Sequence, residues 1–211
     1  WQLGAPESAE VGVCDPILPY ANGRIAISEN LGSPKDPSFL DRVSFWTLMS
    51  VSRDRGSLML FSSRKAMSYI YDHMPEDMKS ISLMQGSESN ASLISKHKAR
   101  IDSGGGSILL GMHSFSEGLD LPGNYLSHLI ITKIPFSVPV TPVSTYRSEE
   151  MGDRYFDAYV IPDAVRKVVQ SAGRLIRRES DSGLISILDS RFNSSSMRPA
   201  MVSALPPYTY I

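Results

Sequence analysis

A chain of 211 residues with 42 % hydrophobic content carries enough apolar mass to bury one substantial core. Charged side chains make up 20 % of it and the formal net charge is -1, a balance that neither requires nor excludes a nucleic-acid partner, because a local basic groove fits inside a neutral sum. The single Cys14 excludes an internal disulfide framework and a cysteine-clustered metal site and agrees with a reducing, cytoplasmic compartment; no apolar run reaches the length of a membrane span, and no signal-peptide pattern opens the chain.

Residues 1–19 show no sustained period and carry Gly, Pro and Ser, which reads as an incoming linker, with residues 20–211 as the folded unit. Polar and apolar residues alternate over 24–29, a strand pattern. The Gly32-Ser-Pro-Lys-Asp-Pro37 stretch is loop chemistry, and the spacing over 39–52 predicts a helix. Short apolar strands are then expected at 58–61, 80–84, 107–111, 128–132 and 184–189, with helices at 64–73, 89–101 and 164–177. The Pro-rich run 135–142 reads as an ordered surface loop, and Glu149, Glu150 and Asp153 as exposed helix charges. Strands alternating with helices predict a single α/β domain with a mainly parallel sheet covered on both faces.

The helix expected at 164–177 divides into two faces. Val165, Val168, Val169, Ala172, Leu175 and Ile176 gather on a side suited to packing on a sheet. Gln170, Gly173, Arg174 and Arg177 gather on the opposite side, which points those arginines away from the domain's own core. Two guanidinium forks one turn apart make a clamp for a phosphate, and Gly173 between them admits close approach to the backbone. Spacing alone fits a solvated basic face equally well.

Three strand ends carry small polar residues. Leu60-Phe-Ser-Ser-Arg64 leads from a strand into a helix, so Ser62 or Ser63 can cap that helix while its free N–H groups face a nucleic-acid phosphate. Gln85-Gly-Ser87 sits in the same position after the next strand. After the third comes His113-Ser-Phe-Ser-Glu-Gly-Leu-Asp-Leu-Pro-Gly123, where Ser114 and Ser116 can donate to phosphates and Asp120 can accept from a ribose; a tight Asx-type turn with Gly123 at positive φ explains the same residues. In a parallel sheet these ends form one polar rim, suited to backbone contacts with a single strand of DNA. The basic run Lys96, His97, Lys98, Arg100 reads as a solvated face with His97 in the core or at its rim, and the four histidines lack metal-ligand spacing.

Taken together, Leu60-Phe-Ser-Ser-Arg64, Gln85-Gly-Ser87, Gly111-Met-His-Ser-Phe-Ser-Glu-Gly-Leu-Asp-Leu-Pro-Gly123, Lys133-Ile-Pro-Phe136 and Gln170-Ser-Ala-Gly-Arg-Leu-Ile-Arg177 resemble, in order and spacing, the carboxyl-terminal helicase domain of the DinG-like helicases, a superfamily 2 group related to the XPD helicases. The resemblance runs from about residue 24 to the end. It implies a RecA-like, three-layer α/β domain that closes over ATP and Mg2+ bound on a first motor domain, in a helicase that translocates on single-stranded DNA. Arg174 and Arg177 would then be arginine fingers and Gln170 would orient them, with Glu117, Gly118, Asp120 and Gly173 nearest the nucleotide. Ser62, Ser63, Arg64, Gln85 and Ser114 would line the DNA track.

The sequence holds no Gly-x-x-x-x-Gly-Lys-Ser/Thr phosphate loop, no Asp-Glu-x-His motif and no cysteines for the iron–sulfur cluster of many relatives. The resemblance assigns those elements to the first motor domain, which lies outside this chain, and on that reading the fragment alone is inactive. The alternative is a non-catalytic helicase-like module that docks DNA or a partner. Retention of both arginines and Asp120 favours the motor.

Overall fold

The computed structural model describes residues 17–28 and 30–211. The linker expected at 1–19 therefore lies outside the described residues except for its last three, as does Glu29 at the end of the first expected strand.

Seven strands form one sheet: β1 (Gly23–Ile27), β2 (Gly56–Phe61), β3 (Ser82–Met84), β4 (Ser107–Met112), β5 (His128–Ile131), β6 (Gly183–Ile187) and β7 (Thr209–Tyr210). Their order is β3-β4-β2-β5-β6-β1-β7, with every pairing parallel. The helices are α1 (Phe39–Ser50), α2 (Arg64–Asp72), α3 (Glu76–Ile81), α4 (Asn90–Asp102), α5 (Pro142–Met151), α6 (Ile161–Ala172) and α7 (Met197–Ala204). This is a RecA-like three-layer domain, as expected.

Side-chain alternation along the strands builds the layers. In β2, Leu58 and Leu60 join a core with Leu93 of α4 and with Ala164, Val168 and Ala172 of α6. Met59 and Phe61 turn to the other face, against Phe39 and Val43 of α1 and Met67 and Ile70 of α2. All six residues of β2 are buried, and residues 58–61 form a continuous apolar run, as a strand covered on both faces requires. The chain leaves β2 towards β3 and β4 on one side and crosses to β5 on the other, which creates a topological switch point at the carboxyl edge beside β2.

Three expectations need correction. The strand expected at 80–84 is reduced to Ser82–Met84, because Pro75 starts α3 with Glu76 and Asp77 in its first turn, where acidic residues suit the helix dipole. The helix expected to run to 177 stops at Ala172, with Gly173 as its cap. Beyond it the backbone tightens into Arg174 N to Ser171 O and Leu175 N to Ala172 O, both 3.0 Å. The next amides, Arg177 N and Arg178 N, donate to the Asp181 carboxylate at 2.8 and 2.9 Å instead of to helix carbonyls. Gly173 and Arg174 are therefore turn residues and Arg177 lies in the irregular segment beyond them, so they are not members of one helical face, and Gln170 alone of that set is helical. The third correction is Ser116, which is 4 % exposed and donates to His113 O at 2.7 Å, so its hydroxyl is already engaged.

Candidate functional site

At the carboxyl edge, the switch point opens into a cleft of about 300 Å³. Ser62 after β2, Ser114 and Glu117 after β4, Phe136 after β5, and Lys167 and Gln170 from α6 all line it. The structure thus brings together five of the residues singled out in the sequence, namely Ser62, Ser114, Ser116, Glu117 and Gln170, with the Ser116 hydroxyl already engaged. Ser63, Arg64 and Gln85 share the edge but not the cleft lining. Ser63 is the N-cap of α2, its hydroxyl accepting from Ala66 N at 3.2 Å. Arg64 is exposed and lies over the Gln-Gly-Ser turn: a Cβ on Gly86 would come within 3.2 Å of its Nη1. Gln85 accepts from Met112 N at 2.8 Å through Oε1, which ties the end of β3 to the end of β4.

The loop after β4 keeps its shape through two glycines. Gly111 admits the Phe115 ring, since a Cβ there would sit 2.5 Å from Phe115 Cδ1. Gly123 has φ +61, in the left-handed region that the Asx-type turn reading anticipated. Gly118 is exposed beside Glu117.

The second cluster lies where α6 ends. Arg174 Nη1 donates to Leu119 O at 3.2 Å, and Arg177 Nη2 donates to the same carbonyl at 2.8 Å. Arg177 Nη1 also pairs with Asp120 Oδ1 at 3.0 Å. Both guanidiniums therefore converge on the 119–120 segment of their own domain, at the surface and outside its core. Burial, with the like charge of Arg177 beside it, pulls Arg174 below the ordinary guanidinium value. Asp120 keeps 67 % of its side chain exposed, so the outer side of this cluster is open to an incoming group. Gly173 meets no atom closer than Val169 O, at 3.4 Å from a built Cβ. Gln170 stands one turn earlier, accepting from Arg166 Nη1 at 3.4 Å.

Several participants were missed in the sequence. His113 lines the cleft and pairs through Nε2 with Lys133 O at 3.2 Å; burial, with Lys167 nearby, pushes its pKa down to about 4, so it is neutral at pH 7. Lys167 is held by Asp163 at 2.7 Å and by Ser137 at 2.6 Å. Its one sequence signal was its place four residues after Asp163 on a helix. Asp181, 1 % exposed, accepts from Gly123 N at 3.0 Å as well as from Arg177 N and Arg178 N. The basic run on α4 carries no site: His97 is fully buried and bonded to Tyr125 O at 2.7 Å, and Lys96 pairs with Glu88.

With this geometry in hand, residues 45–208 match the model of the helicase C-terminal domain family. The chain is 39 % identical over 193 residues to a Photobacterium profundum protein named ATP-dependent DNA helicase DinG, an alignment that covers 89 % of this chain and 28 % of that protein. It is 35 % identical over 156 residues to the Escherichia coli protein of the same name, covering 72 % and 22 %. The chain thus spans about a quarter of the length of these relatives. Among solved structures, one titled XPD_Helicase superposes with a TM-score of 0.68 at 17 % identity, over 90 % of this chain and 35 % of that one. The S. tokodaii Xpd4 structure gives 0.61 at 13 % identity, over 90 % and 38 %. These two likenesses concern the fold. The chain belongs to the helicase C-terminal domain family.

Proposed function

We propose that this domain is the second motor domain of an ATP-dependent DNA helicase, and that it supplies Arg174 and Arg177 to a nucleotide held on a first RecA-like domain of the same protein. The observation that carries the reading is the convergence of both guanidiniums on Leu119 O beside the exposed Asp120. Two guanidinium forks held side by side can receive a dianionic group such as a terminal phosphoryl with parallel hydrogen bonds. ATP and Mg2+ bound on the first domain supply the transferring phosphoryl group. In this chain, Arg177 would exchange Asp120 for that group on domain closure, with Arg174 beside it adding positive charge. Leu119 O would hold the second edge of each guanidinium in place. Gln170 and Glu117, in the neighbouring cleft, would connect this event to the rim.

On the same reading, single-stranded DNA runs along the carboxyl edge over Ser62, Ser63, Arg64, Gln85 and Ser114. Hydroxyls, helix-start amides and one exposed guanidinium contact its backbone without reading bases. Arg174→Ala and Arg177→Ala in the full-length protein test the proposal. Each is expected to lower ATP turnover by about a thousandfold while single-strand affinity stays within about twofold. Normal turnover with lost DNA binding would reassign the arginines to the DNA track and favour a docking module. The isolated domain is expected to hydrolyse ATP no faster than background.

A further inference from the structure

We infer that Asp181 is a positioning residue for the arginine pair, an inference that rests on the motor reading above. Its carboxylate is 1 % exposed and accepts three backbone N–H bonds: Oδ2 from Arg177 and Arg178, at 2.8 and 2.9 Å, and Oδ1 from Gly123, at 3.0 Å. A buried charge persists only where such bonds satisfy it, and bonds to an ionised acceptor are short and strong. What distinguishes this carboxylate from an ordinary turn cap is what its two oxygens join. One grips the backbone of Arg177. The other grips Gly123, three residues after the Asp120 that receives the Arg177 guanidinium.

Arg177 is therefore fixed at both ends by one side chain. Its main chain is held directly, and its side-chain partners Leu119 O and Asp120 belong to the loop that Gly123 anchors. The closed circuit runs from Asp181 through the Arg177 backbone and guanidinium to residues 119–120, then through Gly123 back to Asp181. Arg174, bonded to the same Leu119 carbonyl, is carried with it. A side chain as long as arginine has many rotamers, and its productive geometry depends on where its Cα and its resting acceptors are held. Asp181 touches neither nucleotide nor DNA on this account. It sets the place from which the guanidiniums reach.

The test uses the full-length protein and a double-mutant cycle. Asp181→Asn keeps the size of the side chain but turns an amide NH2 towards backbone donors, so one half of the circuit opens. The expected result is a 10- to 100-fold fall in kcat for DNA-stimulated ATP turnover, with KM for ATP and single-strand Kd within about twofold of wild type. In an Arg177→Ala background, Asp181→Asn should cause a clearly smaller fractional loss, because only the part of its effect carried by Arg174 remains. An unchanged kcat in folded Asp181→Asn, or an equal fractional loss with and without Arg177, would overturn the inference. If Asp181→Asn fails to accumulate as folded protein, Asp181→Ser carries the same comparison. Wild-type turnover by Arg177→Ala would instead overturn the motor reading, and the inference with it.

Discussion

Along the carboxyl edge, Ser62 and Arg64 follow β2 and Ser114 follows β4, each held by a local turn or helix start. At the end of α6, by contrast, Arg174 and Arg177 are bound to a loop more than fifty residues away in sequence, and a buried carboxylate closes the contact from behind. The rim spreads small contacts over many groups, so no single one dominates. The arginine turn concentrates its effect in two side chains and their supports. On the proposed function, the first design suits a surface along which a polymer slides, and the second a group that meets a reacting phosphoryl.

Acid should act on the sheet and its cleft through two buried histidines. His113 in the cleft and His128 at the start of β5 both have pKa values lowered by burial to about 4. The unfolded chain, with histidines near 6.5, takes up their protons before the folded one does. Stability is therefore full above about pH 6.5 and falls as pH drops from there towards 4, by up to about 1.4 kcal/mol per pH unit for each histidine. Chemical denaturation at pH 7 and pH 5 measures this, and His113→Asn should flatten the slope.

Gly111→Ala should damage both regions at once. The added Cβ drives into the Phe115 ring, which supports the loop that carries Ser114 and Asp120 alike. A loss of about 1–3 kcal/mol in unfolding free energy is expected, and an unchanged denaturation midpoint would mean that the loop repacks without cost. Smallest of all is the effect of Ser62→Ala with Gln85→Ala. Single-strand affinity should weaken by roughly 1 kcal/mol or less, with ATP turnover near wild type; a collapse of turnover would erase the contrast between rim and turn.

Much of the fold was legible because β2, β4 and β5 are runs of apolar residues bounded by polar turns, and a parallel sheet buries such runs on both faces. The rim was legible for the same reason: Ser62, Gln85 and Ser114 each follow a strand of that sheet. The end of α6 was not. Leu175 and Ile176 continue the apolar spacing of the helix and are buried, so periodicity alone carries the helix past its true end. Gly173 caps it, and Asp181 then takes up the amides of Arg177, Arg178 and Gly123, which lie 4, 3 and 58 residues away; no local pattern reports the last of these. β3 was overextended because Ser80 and Ile81 suit a strand locally, while Pro75 with Glu76 and Asp77 gave a helix-start signal just upstream. The motif gives the order of Gln170, Gly173, Arg174 and Arg177 but not their backbone, since a motif fixes residue order and leaves the helix end to tertiary contacts.

The central claim is that Arg177 acts on a phosphoryl group in transfer and not on nucleotide binding in general. Its most direct test is the affinity of the full-length protein for ADP alone and for ADP with aluminium fluoride, a mimic of that transferring group, in wild type and Arg177→Ala. The account predicts ADP affinity within about twofold and a loss of at least about a hundredfold for the mimic. Equal affinities of variant and wild type for the mimic, or an equal loss for both ligands, would contradict it.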